Sequence, residues 1–150
     1  MKIKFESEKL ERLLKLAPSF WEDSQIMRRL AAYGASKIKE RTAKGNDYQE
    51  KSFAPYAIST EKLRKSAGRP INFVDLDFTG KMIGAITSDG KKGEGQIYFL
   101  STKESEKAYK HMKGNRKLPQ REFFRLSKKD MNKITDMLNT HVSEKLDKYS

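Results

Sequence analysis

Two stretches with an apolar period of three to four residues frame this chain, and between them the period falls to two. In residues 24–44, Ile26, Met27, Leu30, Ala31, Tyr33, Gly34 and Ile38 recur at helical spacing, while Arg28, Arg29, Lys37, Lys39, Glu40 and Arg41 mostly lie off that stripe. Asp23 or Ser24 suits the N-cap, and Gly45-Asn46 suits the stop. In residues 128–146, Met131, Ile134, Leu138, Val142 and Leu146 share one face, and Ser127 with Asp130 reads as a capping box. A helix with one apolar stripe must bury it against another layer, and the centre of the chain supplies that layer.

There, Val74, Leu76 and Phe78 alternate with Asp75 and Asp77. The stretches 82–87 and 96–100 are rich in β-formers, and the polar, glycine-rich residues 88–95 between them suit a hairpin. Residues 121–126 offer a fourth strand, 102–112 a connecting helix, and 8–16 a short amphipathic helix ending at Pro18. The expected fold is α+β in a single domain over 1–150. A small antiparallel sheet of about four strands (72–79, 82–88, 95–101, 121–126) packs against a long N-terminal helix and a C-terminal helix. Val74, Leu76, Phe78, Ile86, Ile97, Phe99, Ile134, Leu138 and Val142 are the expected core. Residues 45–70, punctuated by Gly, Pro, Asn and Ser, are too long for an ordinary connector and are expected to be a functional, mobile loop.

The formal net charge is +12, and it is uneven. Between 107 and 129 the chain reads KAYKHMKGNRKLPQREFFRLSKK, with Glu122 as its one acid. So dense a cluster repels itself unless something acidic or anionic lies nearby. Three readings stand: a solvated face, a surface for nucleic-acid phosphates, or an interface to an acidic partner subunit.

Catalytic chemistry has little to work with. Cysteine is absent, which excludes disulfides and thiolate sites. His111 and His141 lie far apart in sequence without acidic or histidine partners at helical spacing, so both read as structural. Asp75 and Asp77 read as the solvent side of a strand, glycines 90, 93 and 95 as hairpin turn rather than phosphate loop, and Trp21 as an anchor for the first long helix. No secretory signal or apolar span is apparent, which makes a soluble, cytoplasmic chain the expectation. No cofactor, metal or small-molecule substrate is expected.

Three blocks, in order, resemble a known family. The first runs from Gly45-Asn46-Asp47-Tyr48 through Ser52-Phe53-Ala54-Pro55-Tyr56 to Thr60 and is similar to a "G…F.PYS..T" segment. The second, Val74-Asp75-Leu76-Asp77-Phe78-Thr79-Gly80-Lys81-Met82, is similar to "L..TG.M". The third joins Ala108-Tyr109-Lys110-His111-Met112-Lys113-Gly114 to Leu118-Pro119-Gln120-Arg121-Glu122-Phe123-Phe124-Arg125-Leu126-Ser127 and is similar to "A..H..G … P.R.FF.LS". Together they resemble the tailed-bacteriophage virion morphogenesis family, the small neck or tail-completion proteins of the head–tail junction. Met112 and Lys113 depart from the family pattern, which often has Gln and a small or aromatic residue there.

The resemblance implies a structural, non-enzymatic role in virion assembly, through contacts with connector or adaptor and tail proteins and commonly in a homo-oligomeric ring. It implies a place in the virion, reached from the host cytoplasm during assembly. The expected partner-facing residues are Phe53, Pro55 and Tyr56 in the long loop, and Lys110, Lys113, Arg116, Lys117 and Arg121 in the basic cluster, the latter toward acidic subunits or DNA in the lumen. Alone, the chain is expected to be monomeric or weakly associated, because like-charged subunits repel. The alternative is a non-specific nucleic-acid-binding module.

Overall fold

The computed structural model describes residues 1–3 and 24–148; the expected helix at 8–16, Trp21 and Asp23 lie outside the described residues. The architecture is α+β. In chain order the elements are β1 (Lys2–Ile3), α1 (Ser24–Ala43), α2 (Ile58–Ser66), α3 (Lys81–Gly84), β2 (Ile86–Lys91), β3 (Glu94–Phe99), α4 (Thr102–Lys113) and α5 (Lys128–Asp147). The sheet is antiparallel in the order β1-β3-β2, but β1 is two residues long, so in substance it is the β2–β3 hairpin.

One face of the hairpin carries α1, and α5 packs on α1. Ile26, Met27, Leu30, Ala31 and Ile38 of α1 are buried with Ile86, Ile97, Phe123 and the α5 stripe Ile134, Leu138 and Val142. Each such aliphatic contributes about 1.5–3 kcal/mol when fully buried. Gly45, at φ 83°, ends α1. The expected capping box opens α5: Asp130 N–H donates to Ser127 Oγ at 3.0 Å, and Ser127 N–H donates to Asp130 Oδ2 at 2.9 Å.

The expected four-strand sheet is not what forms. Residues 72–79 form no strand, because Leu76 sits at φ 55°, which breaks any extended run. Val74 and Leu76 are still buried, while Phe78 is 40% exposed and leaves the expected core. Phe99 packs against the core only partly buried. Residues 82–88 are split between the helical turn α3 and β2. Residues 121–126 have no ladder partner among the described residues; the buried alternation of Arg121 and Phe123 is held by other bonds. Nor is 45–70 one long loop, since it contains α2.

The glycine-rich stretch 88–95 is no mere linker. The strands run through it to a two-residue turn, Lys92-Gly93, and Gly90 pairs directly with Gly95. A Cβ on Gly90 would lie 2.3 Å from Arg28 N and 2.7 Å from Met27 C, so the α1 backbone rests on bare strand. Gly90→Ala must push helix from sheet, and an expected loss of about 1–3 kcal/mol follows from overpacking. Asp89→Ala next to it removes an exposed 3.3 Å contact to Arg28 and the acceptor of the Gly90 N–H at 2.8 Å, and should cost no more than about 1 kcal/mol. Urea midpoints of the two variants check this; equal effects would mean that the helix yields freely.

Candidate functional site

Several described side chains converge on Tyr56. Two guanidinium groups flank its ring, Arg64 at 4.6 Å and Arg121 at 5.5 Å from the centroid. Arg64 is 2% exposed and Arg121 3%. From α2, Arg64 donates to Asp75 Oδ1 at 2.9 Å, Pro70 O at 2.8 Å and Asp77 O at 3.1 Å. Asp75 Oδ1 also accepts from Tyr56 OH at 3.2 Å and Asp77 N–H at 2.9 Å. Tyr56 OH in turn accepts the N–H of Leu76 at 3.2 Å, which holds that residue in its left-handed turn. Burial and the neighbouring Asp75 raise the Tyr56 phenol above its ordinary pKa.

Arg121 lies opposite. Its guanidinium donates to Ala54 O at 2.9 and 3.1 Å and to Pro55 O at 2.9 Å, and it makes no ion pair among the described residues. Burial lowers its pKa, against the pull of Tyr56. The cluster thus holds two buried cations and one carboxylate, with carbonyl dipoles and the Tyr56 π face satisfying the second cation. Backbone bonds extend the join: Arg121 N–H donates to His111 O at 2.7 Å, and Tyr48 N–H to Glu122 O at 3.2 Å. Arg125 lies 5.2 Å over the Tyr48 ring, and Phe124 N–H meets Met112 Sδ at 3.3 Å.

His111 sits beneath Arg121 with Nδ1 buried and lacking a hydrogen-bond partner. Burial, then the Arg121 cation, pushes its pKa down from 6.5 to about 4. Because the folded value lies below the unfolded one, the unfolded chain takes the proton first as pH falls. The His111 contribution is therefore neutral above pH 6.5 and increasingly destabilising down to about pH 4. His111→Gln is expected to flatten the fall in urea midpoint across that window; an unchanged slope would assign the acid sensitivity to other groups.

These positions correct several sequence expectations. Phe53 is buried, Tyr56 is half-buried between two arginines, and Arg121 is internal, so none of the three projects from the surface as an exposed anchor. Pro55 is exposed. Asp75 faces the buried Arg64 rather than solvent. Lys110, Lys113, Arg116 and Lys117 are exposed, as a partner-facing role requires. Arg116 and Lys117 ride on a tight turn in which Asn115 Oδ1 accepts the N–H groups of Lys117 and Leu118 at 2.8 and 2.9 Å. Gly114 makes that turn possible: at φ 67°, a Cβ would lie 2.6 Å from Gln120 N. Lys113 Nζ lies 5.8 Å over the Tyr109 ring.

Arg64 was legible only as one basic residue among several between 62 and 69. The available signal was dipole pairing, with Glu61 in the first turn and Arg64 and Lys65 in the last turn of α2. Among the described residues no group of three or more His, Asp or Glu could hold a metal ion, and no helix is long and apolar enough to cross a membrane. The cluster joins residues 54–56, 64, 75–77 and 121 into one hydrogen-bonded unit. No protein-family model matches the chain, and neither a curated protein nor a solved structure does.

Proposed function

We propose that this chain is a structural, non-enzymatic virion-assembly protein of the phage head–tail junction, a neck or tail-completion component that acts through protein–protein contacts. The observation that carries the reading is the convergence of the three resembling blocks. Ala54, Pro55 and Tyr56 belong to the first, Asp75 and Leu76 to the second, and His111 and Arg121 to the third, and all meet in the Tyr56 clamp. The resembling stretches thus pack as one unit, which is compatible with the reading.

In this reading the connector or adaptor and tail proteins are the partners, a homo-oligomeric ring forms on assembly, and the protein resides in the virion after assembly in the host cytoplasm. The exposed Lys110, Lys113, Arg116 and Lys117, none of them in an ion pair among the described residues, face acidic subunits or lumenal DNA. The same cations favour the second reading, a non-specific nucleic-acid-binding module, whose affinity would fall steeply with salt.

Deleting the gene is expected to leave filled heads and separate tails, with the wild-type protein present in purified particles by mass spectrometry. Normal particles from the deletion, together with salt-steep DNA binding by the purified protein, would transfer the assignment to the second reading.

A further inference from the structure

Helix α2 is built inside out. Its one buried residue is an arginine, Arg64, while Ile58 is 73% exposed and Leu63 58% exposed. At about 100° per residue, Ile58 and Leu63 flank its outer face about 140° apart. One turn after Ile58, Glu61 lines a crevice of about 150 Å³ with Pro55, Tyr56, Ile71 and Phe73. Ile71 and Phe73 are themselves exposed. Five of the ten exposed large hydrophobics among the described residues fall between 58 and 78: Ile58, Leu63, Ile71, Phe73 and Phe78. On α2 and just beyond it Lys62, Lys65 and Arg69 are exposed and form no ion pair among the described residues, while the charged groups on the crevice wall itself are Lys44 and Glu61.

We infer that the crevice between α2 and residues 71–73 is a docking site for an acidic segment of another protein, anchored by one apolar side chain. A volume of about 150 Å³ admits a single leucine- or phenylalanine-sized group, the kind of buried anchor on which interface energy concentrates. Lys62 and Lys65, within about 40° of Ile58 on α2, together with Lys44 on the crevice wall outnumber Glu61 beside that anchor, which favours an acidic segment and disfavours a second copy of this chain, whose net charge is +12. Phosphate backbones would satisfy these cations but leave Ile58, Ile71 and Phe73 uncovered, which favours a peptide over nucleic acid. The clamp explains how the surface stays presented: Arg64 pins α2 from within, so its aliphatic residues face out without being needed for the fold.

In the particle this inference rests on the assembly reading above, so its test has two arms. In solution, a blocked peptide with Leu-Phe between runs of Glu is titrated into the isotopically labelled protein. Shifts are expected at Ile58, Ile71 and Phe73, with about tenfold weaker binding for Ile58→Glu/Ile71→Glu, the scale of one lost anchor. Equal binding of a peptide with Ser-Gly in place of Leu-Phe, of oligothymidylate at the same residues, or of the double variant would overturn the site. If the double variant does not fold, the wild-type comparison of the Leu-Phe and Ser-Gly peptides decides.

In particles, the double variant is expected to be at least about tenfold depleted. Wild-type occupancy by the double variant overturns the docking site and leaves the assembly reading standing. Absence of the wild-type protein from particles overturns the assembly reading, and the peptide arm alone then judges the site.

Discussion

Arg64→Ala is expected to lower stability by about 3–5 kcal/mol, a large share of the roughly 5–15 kcal/mol that holds a domain together. The substitution strands Asp75, whose side chain is 13% exposed, and leaves Pro70 O and Asp77 O without their donor. It also frees α2, which buries no other residue. Ile58→Ala on the same helix should change stability by no more than about 0.5 kcal/mol, because Ile58 is a surface residue here. Ordinary intuition ranks the two the other way. Arg64→Lys should fall between them, since an ammonium cannot reproduce three directed bonds from one planar fork. Urea unfolding of the three variants measures the order; Arg64→Ala within about 1 kcal/mol of wild type would mean that the clamp is solvated in solution.

The helices were legible because their signal is local. The stripes of α1 and α5 and the Ser127–Asp130 box need only residues within a few turns, and all three stand in the structure. The strand signal misled at 72–79 and 121–126 because period-two burial reports alternation in exposure rather than a ladder. Arg121 and Phe123 turn inward in alternation, yet the segment is held by His111 O, Ala54 O and Pro55 O. Those partners of the Arg121 side chain lie 66 and 67 residues away, a distance no window reads. Period two also hid the hairpin's true extent, since Gly90 and Gly95 look like breakers and are instead the seat of α1.

The candidate site divides along the same line. Lys110, Lys113, Arg116 and Lys117 were readable as surface because charge is usually solvated, and they are exposed. Arg121 belongs to the same run of sequence and is buried, and nothing local distinguishes it. Tyr56 and Phe53 looked like partner anchors because aromatics in a polar stretch usually are; the two arginines on Tyr56 make it an internal anchor instead. The outward aliphatics of α2 have no local signal, because their exposure depends on the buried Arg64 beneath them.

Asp130 is the second residue on which a large effect should fall, because it performs two tasks at one oxygen. Its Oδ2 accepts the Ser127 N–H that closes the capping box and also pairs with Arg41 Nη1 from α1. The Arg41 side chain is 9% exposed and the Asp130 side chain 8%, and Arg41 also donates through Nη2 to Arg125 O. Asp130→Ala removes the N3 half of the capping box, leaving the Ser127 Oγ bond to the residue-130 N–H in place, and strands a buried guanidinium, which sets the expected loss at about 3–5 kcal/mol. Asp130→Ala combined with Arg41→Met should recover part of that loss, since the stranded charge is gone and its place is filled by an apolar chain of similar length. A double-mutant cycle in urea separates the two tasks. A cost for Asp130→Ala no larger than a cap, with no recovery in the double variant, would mean that the junction of α1 and α5 is held by Ile38, Ile134 and Leu138 alone and that the ion pair contributes nothing to it.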